Sequence, residues 1–183
     1  TANLTDLSIR LYLRFFIRSN LYGMVVLIKL WEVGGGMAKI YSRVTKINNV
    51  AGRSDYISNP DRQEHLRLTE KSSDFDWKEY AEFEKQNQKS KEKNNEAREL
   101  VIALPNEMSE KFSDDVLKDF SHELAQEILG KNRDYEFALH WNQAKTNFHM
   151  HLLFSERERV SERTPKVYKR DMWFDKTTNR MAK

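Results

Sequence analysis

Tyr135 to Phe154 reads YEFALHWNQAKTNFHMHLLF, two short apolar runs on either side of a polar loop, and it holds three of the chain's five histidines. Side chains alternate along a strand, so Tyr135, Phe137, Leu139 and Trp141 share one face while Glu136, Ala138 and His140 share the other. In the second run His149 and His151 lie together, opposite Phe148, Met150 and Leu152. The loop from Asn142 to Asn147 is polar enough to close a hairpin, although it lacks the Asn-Gly pair of the tightest turns. Pairing Trp141 with Phe148 sets His140 opposite His149, with His151 one diagonal step away. Opposed Cβ atoms stand roughly 5 Å apart and diagonal ones about 7–8 Å, so three imidazoles converge closely enough to share one ion.

Composition narrows the choice of ion. The 183 residues suit one domain with a possible appendage, and 39% hydrophobic content with 11% aromatics is enough for one core. Without cysteine, disulfides and thiolate zinc sites are both excluded, leaving His, Asp and Glu as ligands. That set favours Mg²⁺, Mn²⁺ or a histidine-rich zinc site. The net charge of +3 is modest, but its distribution is uneven. From Arg157 to Lys183 there are nine Lys/Arg against four acids, a surplus of five that suits a phosphate-rich partner.

Residues 1–36 differ from the rest. Their apolar run is broken by Arg10, Arg14, Arg18 and Lys29, so nothing approaches the roughly 20 uncharged residues of a membrane span. No small-residue cleavage pattern marks a signal peptide. The i, i+4 arginines would suit a basic interfacial helix or extension. The preferred expectation is different: Gly34-Gly35-Gly36 before Met37 resembles a translated ribosome-binding site, which makes Met37 the start and 37–183 the domain.

From Ala38 to Ile47 the residues read as a strand, broken by Asn48-Asn49 and Gly52. Asn59-Pro60 ends any regular element in GRSDYISNPDRQEHL. Ser73-Asp74-Phe75-Asp76 has the pattern of a helix start, followed by Trp77, Tyr80 and Ala81 at helical spacing. Lys85 to Glu96 is polar throughout, a solvated helix or loop. Glu99 to Leu104 reads as a strand stopped by Pro105. Ser113 opens a helix with Val116, Leu117, Phe120, Leu124 and Ile128 inward and Gly130 as its stop. The expected fold is α+β, an antiparallel sheet with flanking helices.

Two histidines at i, i+2 on an apolar strand, with a third opposite, are hard to treat as core residues, because each buried imidazole needs a partner. His140, His149 and His151 are therefore the candidate metal ligands. His122, on the polar side of its helix, and His65, in a loop, read as solvated. A three-histidine site leaves positions open for a substrate oxygen, the arrangement of a Lewis acid on a phosphoryl group. Tyrosine is one side chain able to attack such a phosphate. Tyr56, among small and polar residues, is the favoured nucleophile over Tyr41 and Tyr80, which sit where packing explains them.

His149-Met150-His151 matches the His-hydrophobe-His signature of the HUH endonucleases, and the wider pattern resembles the MobA/MobL type of conjugative relaxase. The matching elements run in order: a strand near Met37, GRSDY as a turn carrying the catalytic tyrosine, Ala97-Arg98-Glu99-Leu100-Val101-Ile102-Ala103-Leu104-Pro105, His140 with Asn147-Phe148-His149-Met150-His151, and Arg170-Asp171-Met172-Trp173. Ser54-Asp55 departs from the small residues usual before the tyrosine, and Phe148 stands where proline is common. Relaxases of this type usually continue beyond the last residue here, so the chain is expected to be a fragment.

The resemblance implies a ferredoxin/RRM-like palm and a cytoplasmic, strand-specific DNA nickase acting at a plasmid transfer origin. Tyr56 would attack the scissile phosphate and stay joined to the 5′ end, with Mg²⁺ or Mn²⁺ at the histidines. Glu99 would orient a ligand or move a proton; otherwise it is a solvated acid at a strand end. Arg157, Arg159, Arg163, Lys166, Lys169 and Arg170 would hold single-stranded DNA, and accessory mobilisation proteins and a coupling protein would be partners. Two alternatives stay open. An HUH replication initiator or transposase would place its tyrosine after the histidine motif, where Tyr168 stands. A metal-stabilised DNA-binding module would cut nothing.

Overall fold

The computed structural model describes residues 42–63, 65–88, 95–159, 173–175 and 180–182. Five strands form one sheet: β1 (Ser42–Ile47), β2 (Leu66–Lys71), β3 (Ala97–Leu104), β4 (Arg133–Trp141) and β5 (Phe148–Glu158). Their spatial order is β1-β3-β5-β4-β2, and every neighbouring pair is antiparallel. Four helices accompany them: α1 (Val50–Ser58), α2 (Trp77–Gln86), α3 (Asn106–Lys111) and α4 (Asp114–Leu129). A separate ribbon pairs β6 (Trp173–Asp175) with β7 (Arg180–Ala182). The α+β expectation holds.

The hairpin has the expected register. Trp141 pairs with Phe148, His140 with His149 and Ala138 with His151. Both faces of β4 and β5 are covered, as befits the centre of a sheet with helices on each side. On one face Tyr135, Phe137, Leu139, Phe148, Met150, Leu152 and Phe154 pack against Leu117, Phe120 and Leu124 of α4. Ser113 caps α4 by accepting from the Val116 amide, and Gly130 ends it at φ +80°, where a side chain would be strained. On the opposite face Ala138 and Leu153 meet Val50 and Ile57 of α1 and Trp77 and Tyr80 of α2.

Several elements depart from the sequence reading. The segment expected to be a glycine-and-serine turn is α1. Asn49 caps it by accepting from the Gly52 amide, and the Glu96 carboxylate accepts from the Val50 amide. Gly52 matters here, since a Cβ would sit 2.6 Å from the Asn49 amide nitrogen and expel the cap. The strand β2 was not expected: its alternation rests on Leu66 and Leu68 alone, and it pairs along β4 as an edge. The short α3 follows Pro105 directly. Helix α2 starts one residue after its cap, Asp76, later than Ser73 suggested. Of the expected strand from Ala38, the described part is Ser42–Ile47; Tyr41 lies outside the described residues.

Candidate metal centre and nucleophile

The candidate side chains gather on the α1 and α2 face of the sheet. Glu99, Val101 and Ala103 of β3 lie opposite Leu153, His151 and His149 of β5. Opposed residues project to the same side, so Glu99 joins the two histidines without any loop being required. His140 arrives from β4. One ring nitrogen from each of His140, His149 and His151 lies within 4.8 Å of the others.

The second nitrogen of each ring is held by a group that fixes its tautomer. His140 Nε2 is 2.6 Å from the Ile57 carbonyl oxygen and His149 Nδ1 is 3.2 Å from that of Asn147. Carbonyl oxygens only accept, so both nitrogens carry hydrogen. His151 Nδ1 stands 2.7 Å from Glu99 Oε1 and donates to that carboxylate. The open positions are then His140 Nδ1, His149 Nε2 and His151 Nε2. The last two face each other at 3.1 Å. In neutral rings these are opposed lone pairs, repulsive unless a cation lies between them. Nitrogens sharing one divalent ion at about 2.1 Å each stand roughly 3.0–3.4 Å apart, so this pair has ligand spacing. The donor set and the oriented outer nitrogens fit a divalent ion.

Electrostatics favour the binding form. Burial lowers His140 to about 4, helped by His151 and opposed by the Ile57 carbonyl. Burial also lowers His149, with the Asn147 carbonyl opposing. Both rings are therefore neutral near pH 7, as ligation requires. Glu99 is buried, which pushes its carboxyl up, but the hydrogen bonds and charges of His151 and Arg53 outweigh that and hold it below its usual value. Of the two expectations for Glu99, the solvated strand-end acid is excluded: it is 3% exposed and engaged on both oxygens.

Tyr56 sits on α1 and is 47% exposed, open to solvent despite its large ring. Its neighbour Ile57 supplies the carbonyl that holds His140, which places the tyrosine's helix directly against the histidine cluster. Arg53, one helical turn earlier, stacks its guanidinium 4.9 Å from the Tyr56 ring centroid and grips Glu99 through Nε and Nη2. The adjacent Asp55 carboxylate is engaged by Arg62 at 3.0 Å, which offsets its negative charge beside the phenol.

The remaining sites separate. Arg157 is drawn inward, 2.5 Å from Glu84 with its guanidinium over Phe83, and Arg159 pairs with Asp134 at 3.0 Å while staying half-exposed. Arg163, Lys166, Lys169, Arg170 and Tyr168 lie outside the described residues. His122, expected to be solvated, is half-buried instead: it hydrogen-bonds the Tyr135 hydroxyl and meets the Phe137 ring edge-on. Arg53 escaped the sequence reading because a lone arginine on a polar segment carries no signal until its helix is known.

A family model, the MobA/MobL family, matches residues 61–182, a span containing Glu99 and all three histidines but not Tyr56. No curated protein matches the chain. Among solved structures, one from work on the molecular basis of vancomycin resistance transfer in Staphylococcus aureus is 19% identical, with a TM-score of 0.50 over 70% of this chain and 77% of that one. The MobM relaxase domain, bound to Mn and plasmid pMV158 oriT DNA, is 18% identical, with a TM-score of 0.42 over 70% and 75%. The family match spans most of the sheet and the whole histidine motif, and the chain belongs to the MobA/MobL family of DNA relaxases.

Proposed function

We propose that this relaxase nicks and rejoins one DNA strand at a plasmid transfer origin, through a covalent 5′-phosphotyrosine on Tyr56 and with Mg²⁺ or Mn²⁺ at His140, His149 and His151. The observation that carries the reading is the facing pair of His149 and His151 nitrogens at 3.1 Å, beside a helix that presents an exposed tyrosine. The manganese-bound, oriT-bound MobM domain is consistent with it.

A bound divalent ion supplies positive charge against a phosphoryl oxygen. Glu99 holds the His151 tautomer that leaves Nε2 open, and Ile57 does the same for His140 Nδ1. The Tyr56 oxygen loses its proton and attacks phosphorus, and the bond from phosphorus to the 3′ oxygen breaks. The departing oxygen takes a proton as a 3′-hydroxyl, while the 5′ phosphate stays on the tyrosine. Because one phosphoester replaces another, the same hydroxyl can reverse the step and reseal the strand. The domain is 37–183; its basic residues from Arg159 onward track the backbone of single-stranded DNA. No helix among the described residues is long and apolar enough to cross a membrane. We place the reaction in the cytoplasm, where mobilisation proteins and a coupling protein would receive the nicked strand.

The test is incubation with a single-stranded cognate-origin oligonucleotide and Mn²⁺. A covalent adduct absent in Tyr56→Phe supports the reading. Loss in Tyr168→Phe with retention in Tyr56→Phe moves the role to the later tyrosine, as in a replication initiator. Binding without cleavage identifies a DNA-binding module.

A further inference from the structure

We infer that Arg53 is a positioning residue that couples the Tyr56 ring to the histidine cluster through Glu99. The inference rests on the nicking reading for its consequence, but its structural content stands on contacts alone. Arg53 and Tyr56 are three apart on α1, so their side chains share a helix face. The guanidinium covers the tyrosine ring at 4.9 Å. The same guanidinium reaches Glu99 through Nε at 3.0 and 3.1 Å and through Nη2 at 2.6 Å. Glu99 Oε1 takes both Arg53 Nη2 and, at 2.7 Å, His151 Nδ1. One carboxylate oxygen therefore sets the orientation of a ligand ring and of the cation stacked on the nucleophile.

An exposed phenol has rotamer freedom that would scatter its oxygen over several ångströms. Stacking against a plane that is itself pinned by a buried carboxylate removes much of that freedom. Lysine cannot take the role, because it lacks both the planar face and the two-pronged grip. The link also runs in reverse: a shift of the His151 ring moves Oε1, and with it the guanidinium under Tyr56.

The test compares Arg53→Ala, Arg53→Lys and Glu99→Gln, with thermal melts confirming that each folds. In single-turnover cleavage, Arg53→Ala should be slower by ~10- to 100-fold, the scale of a misplaced reacting group, with oligonucleotide affinity little changed. Arg53→Lys should not restore the rate. In the metal-free protein, the Tyr56 ring resonances, assigned by their loss in Tyr56→Phe, should move in Arg53→Ala and also in Glu99→Gln. Resonances unmoved by Glu99→Gln, or full rate in Arg53→Lys, would overturn the coupling. Absence of any Tyr56 adduct in the unmodified protein would instead remove the nicking reading, with the ring resonances still deciding whether the coupling exists.

Discussion

His149 Nε2 and His151 Nε2 face each other at 3.1 Å, while Asn147 and Glu99 hold the hydrogens of both rings on their far sides. Those two nitrogens stand at the spacing of ligands that share one divalent ion, so an ion bound there would be held by both rings. A ligand that binds the native state alone stabilises it by about 2.7 kcal/mol at a hundredfold excess over Kd. For a chain of this size that corresponds to a rise in Tm of roughly 5–10 °C. Differential scanning fluorimetry with Mn²⁺ should show it, and His149→Ala should abolish it. Glu99→Gln should weaken Mn²⁺ binding by ~10- to 100-fold, because the carboxylate orients His151 without being a ligand.

The acid response of the metal-free fold should have two parts. Burial lowers His140 to about 4 in the folded protein, whereas in the unfolded chain it titrates near the ordinary imidazole value of 6.5. Between these values the unfolded chain takes up a proton that the native state refuses, so stability falls as pH drops from 6.5 to 4 and then levels. The loss is on the order of 3 kcal/mol. Glu99 is held below 4.5, so its contribution is full above that value and disappears as pH falls through the folded one. Urea melts at stepped pH, without metal, should show both limbs. His140→Gln should shrink the one above pH 4 to the share of His149, which burial also holds below its ordinary value, and leave the lower one.

The hairpin was legible because two periodicities agreed. Alternation divided its faces, and a polar loop of fixed length fixed the register, so the pairing of His140 with His149 followed from chain geometry. Helix α4 was legible for the same reason, its apolar spacing being bounded by Ser113 and Gly130. Helix α1 was not. Only Val50 and Ile57 of its residues are buried, and what fastens it is polar and distant in sequence: Glu96, Glu99 and Glu136 reach it from strands or their flanks. Edge strand β2 was hidden likewise, because half of it faces solvent. Glu99 looked ambiguous since burial of an acid depends on partners brought by other elements, here Arg53 and His151.

Glu136 should prove a structural counterpart to Glu99. It is 2% exposed and accepts from Ser54 Oγ and from Trp77 Nε1, each at 2.6 Å, joining α1 and α2 to β4. Removing it leaves the buried Trp77 indole N–H and the half-buried Ser54 hydroxyl without this acceptor. Glu136→Ala should therefore destabilise the fold by about 2–4 kcal/mol, against about 1 for Ser54→Ala, which deletes a donor with its hydrogen bond. Chemical denaturation with tryptophan fluorescence reports both, and an equal effect of the two would argue against the shared-anchor role.

Two neighbouring arginines should respond differently to the same substitution. Arg157 is held against Glu84 and Phe83 on the body of the domain, whereas Arg159 meets Asp134 from a half-exposed position. Arg157→Ala should cost stability, since it removes the guanidinium that holds the buried Glu84 carboxylate, and should leave the salt dependence of oligonucleotide binding unchanged. Arg159→Ala and Arg163→Ala should each weaken binding to single-stranded DNA and lower the slope of log K against log salt by about 0.7, one phosphate contact apiece. Titrations at several salt concentrations separate the outcomes. An unchanged slope in both Arg159→Ala and Arg163→Ala would place the DNA on other residues. A reduced slope in Arg157→Ala would mean that Glu84 releases its arginine when the strand arrives.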